Sequence, residues 1–109
     1  MNKKVEIEQI ISELNIRLTE RYNDFHGIYF FGSRTKDTYN AESDYDMVFV
    51  FDRKINWRFR KEIIKIVYDI ELKYDIFIDA KVYNNKEISE PITPFRQAVI
   101  NEGIFYAGR

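Results

Sequence analysis

Asp44 and Asp46 stand two residues apart at the head of the apolar run MVFVF, ten residues after a Gly32-Ser33 pair. Side chains alternate across a strand, so both carboxylates leave on one face while Tyr45 and Met47 take the other. Two carboxylates held this close repel and raise each other's pKa unless a cation stands between them. A hard divalent ion resolves the conflict, because Mg²⁺ takes a few carboxylate oxygens and completes its shell with water and substrate phosphate. Gly32 lets the backbone approach a ligand, and free N–H groups at such a turn bind phosphate oxygens. Ser33 adds a hydroxyl, and Arg34 or Lys36 adds positive charge. The stretch FFGSRTKDTYNAESDYDMVFVFD thus brackets one loop with a phosphate cradle and a metal pair.

Activating an attacking hydroxyl calls for a further acid near the nucleophile. The alternating run YDIFIDAKVY supplies two on its polar face. Asp79 is favoured, because a mid-strand aspartate between Ile78 and Ala80 is the harder one to explain by solvation alone; Asp75 is held in reserve. Lys81 shares that face and is a candidate phosphate contact. An exposed strand face, with Asp79 paired across the sheet, is the bland alternative.

The elements that must position these groups follow from periodicity. Ile7, Ile10, Ile11, Leu14 and Leu18 recur at helical spacing between Val5 and Tyr22, an amphipathic helix. NDFHG breaks it, with His26 read as a surface turn residue. GIYFFG is a buried strand, and Asp44 to Phe51 is a second. From about Trp57 to Lys73 the stripe Phe59, Ile63, Ile66, Val67 and Ile70 predicts a second long helix. YDIFIDAKVY is a strand with Ile76, Ile78, Ala80 and Val82 on one side. Thr93 as N-cap, Pro94 at the first helical position and Gly103 at the C′ position define a short last helix, after which IFYAG is a candidate edge strand. The order is α-β-β-α-β-α, an α+β arrangement with a small mixed sheet backed by helices.

At 109 residues the chain fits one domain, read as spanning residues 1–109, and 45% hydrophobic residues supply its core. A net charge of −1, from 17 basic and 18 acidic residues, argues against a surface built to coat nucleic acid or an anionic membrane. Cysteine is absent, which removes thiolate chemistry and suits a reducing cytoplasm. The N-terminus has no apolar run long enough for a signal segment or membrane span. The basic run DRKINWRFRK is read as a solvated helix face, and Trp57 and Tyr68, at helical spacing, as core rather than a protein contact.

Taken together, the apolar strand, Gly32-Ser33, Asp44-Tyr45-Asp46 and a later strand acid resemble the DNA polymerase β nucleotidyltransferase superfamily, and the length resembles its minimal nucleotidyltransferase type. The resemblance spans nearly the whole chain, including PFRQAVINEGIFY. It implies a palm-like fold and transfer of a nucleoside monophosphate, AMP from ATP being the leading case, from an NTP to a hydroxyl. In the family two Mg²⁺ ions are held by three acids. Asp44 and Asp46 match the metal pair, Gly32 and Ser33 the phosphate turn with Arg34 beside them, and Asp79 the third acid. Asp37 departs from the glycine that many relatives carry in the loop. Minimal members resemble antitoxins paired with a helical HEPN toxin, some transferring AMP to that partner. Larger relatives have an added domain, so here a partner protein supplies the acceptor or a second subunit of a homo-oligomer completes the cleft. Two other outcomes stay open: an idle binding module that neutralises a partner by occlusion, and a stand-alone small-molecule adenylyltransferase.

Overall fold

A computed structural model describes residues 7–31, 45–90 and 93–108. The chain forms α1 (Ile7–Arg21), β1 (Phe25–Phe31), β2 (Tyr45–Phe51), α2 (Trp57–Tyr74), β3 (Ile78–Asn84), α3 (Asn85–Ser89), α4 (Pro94–Glu102) and β4 (Ile104–Ala107). The four strands make one mixed sheet in the order β3-β2-β1-β4. Antiparallel pairing joins β1 to β2 and to β4, whereas β2 and β3 run parallel. A parallel neighbour requires a crossover, and α2 supplies it.

Both long helices bury the faces that their periodicity marks: Ile10, Ile11, Leu14 and Leu18 on α1, and Phe59, Ile63, Ile66, Val67 and Ile70 on α2. They cover one side of the sheet, packing on Ile28, Phe30, Met47, Phe49 and Phe51. The other side has a smaller core of Val48, Val50, Ile88 and Val99, contributed by β2, α3 and α4. Because both sides of β2 are covered, nearly the whole strand is buried, and a run of continuous apolar residues is what such a strand needs.

Several expectations change. The order gains α3, whose start is a capping box: the Asn84 side chain accepts from Lys86 N at 2.7 Å, and the Asn84 N–H donates to Glu87 at 3.3 Å. IFYAG does form the edge strand β4. The strand expected across YDIFIDAKVY begins only at Ile78, because α2 continues through Tyr74 and ends on Asp75 in the left-handed region at φ 55°. His26 lies within β1 rather than in a turn, its ring 5.5 Å from Phe105. Thr93 caps α4 through Arg96 N. Gly103 ends that helix in extended backbone, and glycine is required there because a Cβ would stand 2.6 Å from Val99 O. No helix among the described residues is long and apolar enough to cross a membrane.

Candidate active site

The site is built where three strand ends meet. In the antiparallel ladder Asp46 stands opposite Phe31, the last residue of β1; in the parallel ladder it stands opposite Asp79. Partners in adjacent strands are about 4.8 Å apart, with their side chains on the same side. Alternation assigns that side. Tyr45, Met47, Phe49 and Phe51 enter the core beneath α1 and α2, so Asp46 projects to the opposite face with Val48 and Val50. On β3, Ile78 and Val82 join the larger core, and Asp79 projects with Lys81 and Tyr83. The two aspartates from different strands are therefore neighbours at one end of the α4 side of the sheet.

What fixes this register is partly a residue that sequence reasoning did not single out. Glu71, in the last turns of α2, accepts the Ile78 N–H at 2.7 Å, and its own carbonyl accepts from Ile76 N at 3.1 Å. The end of α2 is thereby tied to the first residue of β3. From the other side Tyr45 N donates to Phe77 O at 2.9 Å, joining the start of β2 to the approach of β3. Asp79 is one residue beyond this tie. A signal for Glu71 did exist: an acid near a helix C-terminus opposes the macrodipole unless it has work elsewhere.

Asp79 is half exposed, and its Oδ1 meets Lys81 Nζ at 3.1 Å. The same ammonium lies 5.3 Å from the centre of the Phe95 ring. Phe95 in turn packs edge-on to Phe31 at 5.4 Å and beside Tyr83 at 6.3 Å. The small α4 core thus stops at an aromatic wall, beyond which Asp79 is exposed and Asp46 partly so. Lys81, expected as a phosphate contact, is engaged with Asp79. Asp75, the reserve acid, caps α2 and lies outside the strand, so it does not share Asp79's face. His26 sits at the far end of β1, near the Phe25–Phe51 pairing, and is removed from Asp46. Arg53 of the basic run is a structural clamp: it donates to both oxygens of Asp24, at 2.6 and 3.0 Å, and lies 4.0 Å over the Phe59 ring.

Gly32, Ser33, Arg34 and Asp44, together with Lys36 and Asp37, lie outside the described residues. Among the described residues no three His, Cys, Asp or Glu side chains form a metal-binding cluster. The donor set of the pair nevertheless suits a hard cation: two carboxylates in register on one face, one of them already drawing an ammonium.

A family model described as "Polymerase beta, Nucleotidyltransferase" matches residues 6–105. Over 101 residues the chain is 32% identical to a "Putative protein adenylyltransferase" of Methanocaldococcus jannaschii, covering 92% of this chain and 98% of that protein. Two solved structures share its fold. One, "a putative nucleotidyltransferase from Sulfolobus solfataricus", superposes with a TM-score of 0.63 at 17% identity, covering 95% of this chain and 82% of its own. The other, a toxin-antitoxin complex with AMP-PNP, gives a TM-score of 0.63 at 20% identity, covering 96% and 72%.

Proposed function

The chain belongs to the polymerase β nucleotidyltransferase family and is a nucleotidyltransferase; on that premise we propose that it transfers AMP from ATP to a hydroxyl on a partner protein, as the antitoxin of a helical, HEPN-type toxin. The observation that carries this reading is the pairing of Asp46 with Asp79 across β2 and β3, at one end of the less covered face. The protein relative named as an adenylyltransferase and the fold likeness to a toxin-antitoxin complex holding AMP-PNP support the nucleotide and the class of partner.

In the proposed transfer the acceptor oxygen attacks the α-phosphorus, the bond to the bridging oxygen breaks, and pyrophosphate leaves. Asp79, exposed on the acceptor side, takes the hydroxyl proton as general base. Lys81 must then leave Asp79, and the nearby pyrophosphate oxygens give its ammonium a new partner. Gly32, Ser33 and Arg34 are assigned to the triphosphate, Gly32 by close backbone approach and Arg34 by charge. Asp44 and Asp46, with Asp79, are the residues that would hold two Mg²⁺ ions, which when bound neutralise charge developing on the phosphate oxygens. Their fit rests on the oxygen donors and shared face described above.

The test uses labelled ATP, Mg²⁺ and, as acceptor, a HEPN-type helical protein sought as the product of the adjacent reading frame. Wild type should label that protein, and Asp46→Asn should lower the rate by about 10²-fold or more while still binding the partner. No transfer from any NTP, or equal transfer by both forms, refutes the proposal. If Asp46→Asn neutralises the partner as well as wild type does, occlusion is the function instead.

A further inference from the structure

The outer face of α2 carries a row that the transfer chemistry does not use. Trp57, Ile64, Tyr68 and Leu72 are all exposed, Trp57 by 65% and Leu72 by 64%. At about 100° per residue they fall within an arc of roughly 80°, across the helix from the buried row of Phe59, Ile63, Ile66, Val67 and Ile70. The expectation that Trp57 and Tyr68 belong to the core is thus reversed. Four large apolar side chains thus share one helix face, with Lys61 between Trp57 and Ile64.

Charge along the helix is uneven, and the unevenness selects an occupant. The first half of α2 carries Arg58, Arg60, Lys61 and Lys65 against Glu62, whose carboxylate accepts from the Tyr22 hydroxyl at 2.8 Å. The second half carries Asp69 and Glu71, the latter engaged with Ile78 N at 2.7 Å, against Lys73, which is held by Glu13 at 2.9 Å. Among the described residues neither Arg58 nor Arg60 meets a carboxylate, and Asp69 has only a long contact of 3.9 Å with Arg17. A second α2 laid antiparallel matches basic half to acidic half, whereas a parallel one would set Arg58 against Arg58.

Residue positions fit the antiparallel case in detail. About a point between Ile64 and Lys65, Trp57 and Leu72 are equidistant, each about 11 Å away at 1.5 Å per residue. Each tryptophan therefore meets the leucine of the other copy. Lys61 and Tyr68 are likewise equidistant, which brings an ammonium over a phenol ring. A two-fold axis faces each flank of the helix with the same flank of its mate. One flank then sets Arg58 near Asp69, displaced by about two residues, or about 3 Å, within the reach of arginine; Glu71, held by Ile78 N, is left out of the pairing.

We propose that the outer face of α2 pairs with the same face of a second copy of this chain, antiparallel about a two-fold axis between Ile64 and Lys65. The helix lies on the opposite side of the sheet from Asp46 and Asp79, so this pairing leaves their face uncovered. One helix pair is a small interface, and the dimer is expected to be concentration-dependent.

Sedimentation equilibrium across a concentration series tests this. Mass should rise from 13.2 kDa toward twice that value, while emission from Trp57, the only tryptophan, shifts to the blue. Leu72→Arg should weaken dimerisation at least tenfold with unchanged circular dichroism, since the side chain is exposed. Arg58→Asp should weaken it about tenfold, and adding Asp69→Arg should restore it to within about threefold. A chain that stays monomeric throughout, as it would if this strip served only a different protein, overturns the proposal. So does a dimer that Leu72→Arg leaves intact, or a charge reversal without rescue.

Discussion

The two faces of the sheet are made from the same strands and do different work. Under α1 and α2 lies a continuous core in which Leu14, Leu18, Ile28, Met47, Phe49, Phe51, Ile63 and Ile70 have no measurable exposure. Under α3 and α4, among the described residues, only Val48, Val50, Ile88 and Val99 are fully enclosed, and partly buried aromatics such as Tyr29, Phe31 and Phe95 form the margin. Thin cover on the second face leaves Asp79 exposed and Asp46 partly exposed. The thick face supplies most of the buried apolar surface, which allows the cover on the thin one to remain incomplete.

Unequal cover implies unequal sensitivity, and the largest effect should come from the thick face. Phe49→Ala removes a ring with no exposure from the middle of β2 and should cost about 3–5 kcal/mol. Val99→Ala, in the centre of the thin face, removes two methyl groups and should cost about 2 kcal/mol. Urea titration of both variants gives the comparison. Equal losses would mean that the α4 side is as cooperative a core as the α1–α2 side.

Legibility in the sequence followed the same division. The thick face was readable because amphipathic helices announce themselves by period, and all five buried residues of α2 were marked in advance. Asp46 and Asp79 were also readable as isolated acids in strand context. Their apposition was not, since register between strands separated by a helix depends on contacts such as Glu71 to Ile78 N, which no local pattern encodes. The strand assigned from Tyr74 misled because alternation in DIFID continues smoothly into β3, while the left-handed cap at Asp75 breaks the backbone path. Helix α3 is short enough that its capping box, Asn84 with Glu87, was its only sign. Trp57 and Tyr68 read as core from sequence because helical spacing reports that a face exists without saying which side it turns to.

A smaller effect concerns the thick face's border, where Arg53 clamps Asp24. The hydrogen bonds from Arg53 hold the Asp24 carboxyl below its ordinary range. A depressed carboxylate stabilises the fold above its unfolded pKa, and that contribution is lost as pH falls through the lower folded value. Arg53 is partly exposed, so solvent screening limits the contribution to about 1 kcal/mol. Asp24→Asn should therefore be less stable than wild type by about that amount at pH 7, and the gap should close as the pH drops below about 4. A gap that persists unchanged to low pH would assign the loss to packing beside Phe59 rather than to the ion pair.

The smallest effect on stability is expected where the effect on chemistry is greatest. Asp79→Asn removes an ion pair to Lys81 whose members are both more than a third exposed; such surface pairs contribute from nothing to about 1 kcal/mol. The side chain points away from the large core, and asparagine keeps both its size and its capacity to accept from Lys81. Thermal unfolding should thus leave the variant within about 0.5 kcal/mol of wild type. In the proposed function, AMP transfer should nevertheless fall by about 10²-fold or more, since asparagine can neither serve as the proposed base nor balance a cation's charge. The two measurements separate the roles of the faces on one residue. An unstable variant would make Asp79 a part of the sheet's framework, and a stable variant with undiminished transfer would remove it from the site and leave the third acid to be sought elsewhere.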